Sequence, residues 1–126
     1  MSEPHILVVD DNPTNLKLAS DVLESAGYHV SKAADAEHAL EVIDSEPPDL
    51  ILMDIGLPGM DGLTLTRKLK ADERTTRIRI VALTAFAMKG DEEKILEAGC
   101  DGYISKPIDT RALADQVAKS IAEVSR

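Results

Sequence analysis

The chain has 126 residues, which suits one domain with a buried core. Its 44% apolar and 29% charged residues are ordinary for a globular chain, and a net charge of −9 disfavours nucleic acid and anionic membranes as direct partners, since both need a basic face. The lone cysteine, Cys100, cannot form an internal disulfide, and Tyr28, Phe86 and Tyr103 are too few aromatics to stack bases or a flavin ring.

The first predicted element is a strand over Ile6–Val9, an unbroken apolar run that ends on Asp10 and Asp11. Asn12 and Pro13 then read as a helix cap and first-turn proline. Leu16, Ala19, Val22, Leu23 and Ala26 share one face of that helix, and Gly27 stops it. A weaker strand follows near His29–Ala33. Asp35 can cap a second helix carrying Ala36, Ala39, Leu40 and Ile43, and Pro47 and Pro48 separate it from a third strand, Leu50–Met53, ending on Asp54. Asp61 can cap a third helix with Leu65 and Leu69 in phase.

The fourth strand, Ile80–Leu83, ends on Thr84. The helical segment after it, "AMKGDEEKILEAG", has only Met88, Ile95, Leu96 and Ala98 as apolar anchors and contains Gly90, so it is expected to be weakly held. Gly99 can end it. A fifth strand near Gly102–Ile104 leads to Lys106, and Leu113, Val117, Ile121 and Val124 mark a last helix.

Alternation of short apolar strands with amphipathic helices implies a doubly wound parallel sheet with helices on both faces. Ligands of such sheets sit beyond the carboxyl ends of the strands. In a flavodoxin-like order, 2-1-3-4-5, strands one, three, four and five would bring Asp10, Asp11, Asp54, Thr84 and Lys106 to one rim. Each residue alone has a plain explanation: an Asp pair as cap and solvated neighbour, a turn residue, a strand residue, a surface charge. Together they form three mutually repelling carboxylates, a hydroxyl and an ammonium. A hard divalent cation such as Mg²⁺ relieves that repulsion and screens an incoming phosphoryl group. The set reads as phosphoryl-transfer equipment with a carboxylate as nucleophile. The histidines, His5, His29 and His38, are scattered along the chain and read as structural or solvated, and Cys100 as a small filler.

"ILVVDDN", "DLILMDIGLPGMDG", "ALTA" and "YISKP" together resemble the receiver domain of two-component response regulators over nearly the whole chain. The stretch "TAFAMKGDEEKILEAGCDGYISKPI" is most similar to single-domain regulators of the DivK type, and similar stretches occur in receivers of hybrid histidine kinases. The resemblance implies a (βα)5 fold, with residues 1–126 as one receiver and no output domain. Asp54 is then the phosphoacceptor. Asp11, Asp54 and the Gly56 carbonyl would hold Mg²⁺, with Asp10 assisting through water. Thr84, Lys106 and the Ala85 amide would contact phosphoryl oxygens, Tyr103 would follow Thr84 as a switch, and Lys106–Pro107 would be cis.

A histidine kinase or histidine phosphotransfer protein is the implied donor, and a protein target would read the surface built from the fourth helix, fifth strand and fifth helix. Such a protein is a phosphoacceptor that assists its own phosphorylation and dephosphorylation, not an enzyme of turnover. No apolar run spans a bilayer and "MSEPH" is no signal peptide, so the expected location is the cytoplasm, without membrane or nucleic-acid contact. Two alternatives remain: a receiver excised from a hybrid kinase, and a phosphohydrolase of the haloacid dehalogenase type. The hydrolase needs a second Asp two positions past its nucleophile, where this chain has Asn12 after Asp10 and Gly56 after Asp54.

Overall fold

Strand and helix alternate without exception in the computed structural model, which describes residues 4–55, 62–84, 89–105 and 109–124. The elements are β1 (His5–Val9), α1 (Pro13–Ser25), β2 (His29–Ala33), α2 (Ala36–Ser45), β3 (Leu50–Asp54), α3 (Gly62–Ala71), β4 (Arg79–Thr84), α4 (Lys89–Glu97), β5 (Gly102–Ser105) and α5 (Thr110–Val124). The sheet is parallel with order β2-β1-β3-β4-β5, as the sequence predicts.

The unbroken apolar runs exist because the central strands are covered on both sides. Leu7, Val9, Ile51, Met53, Ile80 and Ala82 face α2, α3 and α4, meeting Ala39, Ile43, Leu65, Leu69 and Ile95. Ile6, Val8, Leu50, Leu52, Val81 and Leu83 face α1 and α5, meeting Ala19, Leu23, Leu113 and Val117. Each fully buried aliphatic side chain contributes about 1.5–3 kcal/mol. The edge strands β2 and β5 are only partly buried, which explains their weaker sequence signal.

The predicted punctuation is physical. Asn12 Oδ1 accepts from the Thr14 and Asn15 amides, and Asp35 accepts from the His38 amide. Gly27 and Gly99 end α1 and α4 in the left-handed region, at φ 97° and 106°. Two expectations need correction. Ala26 is exposed because it is the α1 C-cap, and the buried place on that face goes to Ser20, whose hydroxyl donates to the Leu16 carbonyl. Leu96 is no anchor: it is 56% exposed, while Ile95 and Ala98 are buried. The predicted cap Asp61 and anchor Met88 lie outside the described residues.

Candidate functional site

Parallel register builds the rim. Val9 lies beside Met53, so Asp10, the next residue, is level with Asp54 on the neighbouring strand. The ladder continues one step past the strand ends on either side: the Asp10 amide donates to the Ala33 carbonyl at 3.1 Å, and the Ile55 amide to the Leu83 carbonyl at 3.2 Å. Both carboxylates therefore stand on fixed backbone. Asp10 is fully buried and Asp54 is 5% exposed, while Asp11 is open to solvent.

One carboxylate oxygen from each of Asp10, Asp11 and Asp54 lies within 4.8 Å of the other two. Two like charges roughly 4 Å apart repel by about 4 kcal/mol at an effective dielectric near 20. The capping explanation for the Asp pair does not apply, because the cap is Asn12. Asp10 Oδ1 instead accepts from the Asn12 amide at 2.9 Å, which turns the chain so that Asp11 follows onto the rim. An all-oxygen donor set of this charge fits a hard cation such as Mg²⁺.

Thr84 ends β4 and is buried. It shares a sheet face with Ala82, whose register partner on β5 is Tyr103. Tyr103 is half-buried and packs against the cluster facing α2, α3 and α4. Hydroxyl and phenol thus lie on one face of adjacent strands, Tyr103 one pleat further from the rim. Gly56, Ala85, Lys106 and Pro107 lie outside the described residues.

Gly62 is a part of the site that sequence reasoning missed. It opens α3 against the backbone of β3. A Cβ there would overlap the Asp54 carbonyl oxygen and sit 2.8 Å from Ile55 Cα. Thr66, buried one turn on, donates its hydroxyl to the Gly62 carbonyl at 2.7 Å and holds the helix in that approach. The "DG" before the apolar run was the available signal, and it reads equally well as an ordinary helix start. Thr66 also lies 3.9 Å from the Cys100 sulfur. Burial raises the Cys100 thiol above its ordinary value, in keeping with a packing role.

The family model for the response regulator receiver domain matches residues 6–118. This chain belongs to that family. Receivers are signalling switches controlled by phosphorylation, and they typically bind Mg²⁺. The chain is 48% identical over 103 residues to the polar-differentiation response regulator DivK of Brucella ovis, covering 82% of this chain and 84% of that one. A CheY-like receiver domain protein from Methanospirillum hungatei superposes with a TM-score of 0.90 at 33% identity, covering 98% of both chains. The receiver domain of a Pseudomonas aeruginosa sensor histidine kinase, solved with a magnesium ion in its active-site cleft, superposes with a TM-score of 0.86 at 38% identity over 97% of this chain and 99% of that one. Among the described residues of this receiver, no helix is long and apolar enough to cross a membrane.

Proposed function

We propose that this receiver takes a phosphoryl group onto Asp54 from the phosphohistidine of a histidine kinase or phosphotransfer protein. The observation that carries the reading is the meeting of Asp10, Asp11 and Asp54 at the ends of two adjacent strands. An Asp54 carboxylate oxygen attacks phosphorus as the P–N bond to imidazole breaks. Asp11, Asp54 and the Gly56 carbonyl would hold Mg²⁺, with Asp10 assisting. When bound, the ion offsets the carboxylate charges and those of the incoming phosphoryl oxygens. By providing this cup the chain assists its own phosphorylation and dephosphorylation.

The phosphoryl group brings up to about two negative charges and three acceptor oxygens. Thr84, Lys106 and the Ala85 amide are drawn to it. Two charge-assisted bonds contribute roughly 3–6 kcal/mol, against about 5.5 kcal/mol for inverting a 1:99 equilibrium. Phosphorylation therefore moves most of the population. Inward movement of Thr84 opens space for Tyr103, and the α4-β5-α5 surface changes. The polar make-up of α4 and the exposure of Leu96 support that surface as the contact with a target protein.

Likeness to DivK over most of both chains supports a stand-alone receiver acting by protein contacts, and the single free Cys100 suits the reducing cytoplasm. The test is Mg²⁺-dependent labelling by a small-molecule phosphodonor such as acetyl phosphate, followed by mapping of the modified residue. Labelling of Asp54 is expected; stoichiometric labelling elsewhere, or labelling indifferent to Mg²⁺, would sink the proposal.

A further inference from the structure

The opposite end of the sheet carries a second cluster of metal-ligating side chains. His5 and His29, distant in sequence, are register partners at the starts of β1 and β2. Their rings are in contact in a tilted arrangement, with centroids 4.6 Å apart and planes inclined by 31°. Glu46, the residue that ends α2, reaches the same place: its Oε1 is 3.0 Å from His29 Nε2. One ligand atom from each of His5, His29 and Glu46 lies within 4.8 Å of the other two. Two of the three histidines, His5 and His29, thus meet in space.

We propose that His5, His29 and Glu46 form a Zn²⁺ site, separate from the carboxylate rim. Two imidazoles and one carboxylate are a borderline donor set that suits Zn²⁺ and disfavours Mg²⁺, which prefers oxygen. Tetrahedral zinc with bonds near 2.0–2.1 Å places its ligand atoms about 3.3 Å apart, so closure asks each atom to move by less than about 1 Å. His29 and Glu46 are exposed and already paired with each other, while buried His5 supplies the fixed point.

The His5 ring is already oriented. Its Nδ1 lies 3.5 Å from the Pro47 carbonyl, which can only accept, and its Nε2 lies 2.7 Å from the Ser31 hydroxyl. A proton on Nδ1 makes Nε2 the acceptor of the Ser31 hydroxyl, so a metal at Nε2 would displace that hydroxyl while Nδ1–H keeps the Pro47 carbonyl as its outer-sphere partner. An open cavity of about 270 Å³ lies on the Glu46 side of the cluster, lined in part by Ser31, His38 and Glu46. Five residue steps along β1 separate His5 from Asp10, about 16 Å at 3.3 Å per residue. The two sites therefore do not share a ligand, and zinc here would tie the starts of β1 and β2 to the end of α2.

The test is calorimetric titration of the full chain, stripped with chelator, with ZnCl₂ in excess Mg²⁺ so that the carboxylate rim is occupied. One zinc per chain is expected, with a rise in melting temperature beyond that given by Mg²⁺ alone. Loss of an outer-sphere partner weakens metal sites about 10–100-fold, so His29→Ala and Glu46→Gln should each cost at least about tenfold. Both residues are exposed, so both variants should fold, and Lys17→Ala on the far end of α1 should leave the affinity within about twofold. No zinc uptake in excess Mg²⁺, or uptake undiminished in either His29→Ala or Glu46→Gln, overturns the proposal. Neither result bears on labelling of Asp54.

Discussion

The two ends of β3 carry the same residue type in opposite circumstances. Asp49, just before the strand, is stitched to β1: its Oδ2 accepts from the His5 amide at 2.8 Å and its own amide donates to the His5 carbonyl at 2.7 Å. Asp101 plays a similar part before β5, placed between Lys70 at 3.0 Å and Arg79 at 3.1 Å and accepting from the Ile80 amide. At the other end Asp54 meets Asp10 and Asp11. Carboxylates that precede strands fasten the sheet, and carboxylates that end them are gathered with their own kind. The first arrangement serves stability. The second concentrates negative charge that a bound cation can offset.

The sharpest way to break this comparison is to neutralise one residue at each end. Asp54→Asn should abolish phosphodonor labelling while leaving the fold intact, because it relieves like-charge repulsion at the rim; intact-mass measurement checks it. Gly62→Ala attacks the same end through packing. The new methyl meets backbone rather than a flexible side chain, so a loss of about 3 kcal/mol is expected in urea unfolding, the upper part of the range for overpacking. Labelling should slow as well, since the Asp54 peptide must shift. At the fastening end, Asp101→Ala should cost about 2 kcal/mol by the same measurement, a figure that allows for a side chain 23% exposed. Its labelling at Asp54 should stay near normal. Equal loss of labelling in Asp101→Ala and Gly62→Ala would erase the distinction between the ends.

Much of this was legible in the sequence because it rests on local chemistry. Unbroken apolar runs marked strands covered on both faces, and Asn12, Asp35, Gly27 and Gly99 marked helix ends by the backbone geometry they favour. The residues that end each strand were read directly, and the sheet order then placed Asp10 beside Asp54. What escaped depends on distances between segments. The approach of Gly62 to Asp54 follows from how α3 docks on β3, and a glycine after an aspartate carries no mark of it. The contact of His5 with His29 follows from a register that only the assembled sheet defines. Leu96 was misjudged because helical spacing cannot decide which of two adjacent apolar residues, Ile95 or Leu96, turns inward.

The smallest expected effect tests whether Asn12 belongs to the fastening or to the charge at the rim. It touches both: its side chain caps α1, while its backbone amide donates to Asp10 Oδ1 at 2.9 Å. Asn12→Ala removes the cap and keeps the amide. Loss of a capping side chain costs typically about 1 kcal/mol, so the urea midpoint should fall modestly. The turn that presents Asp11 is held by the backbone bond, which alanine retains, so Mg²⁺ affinity and Asp54 labelling should remain close to those of the parent chain. A large loss of Mg²⁺ affinity with little change in stability would mean that the Asn12 side chain serves the carboxylates directly, and the boundary between fastening and function would then run through α1 rather than along the strand ends.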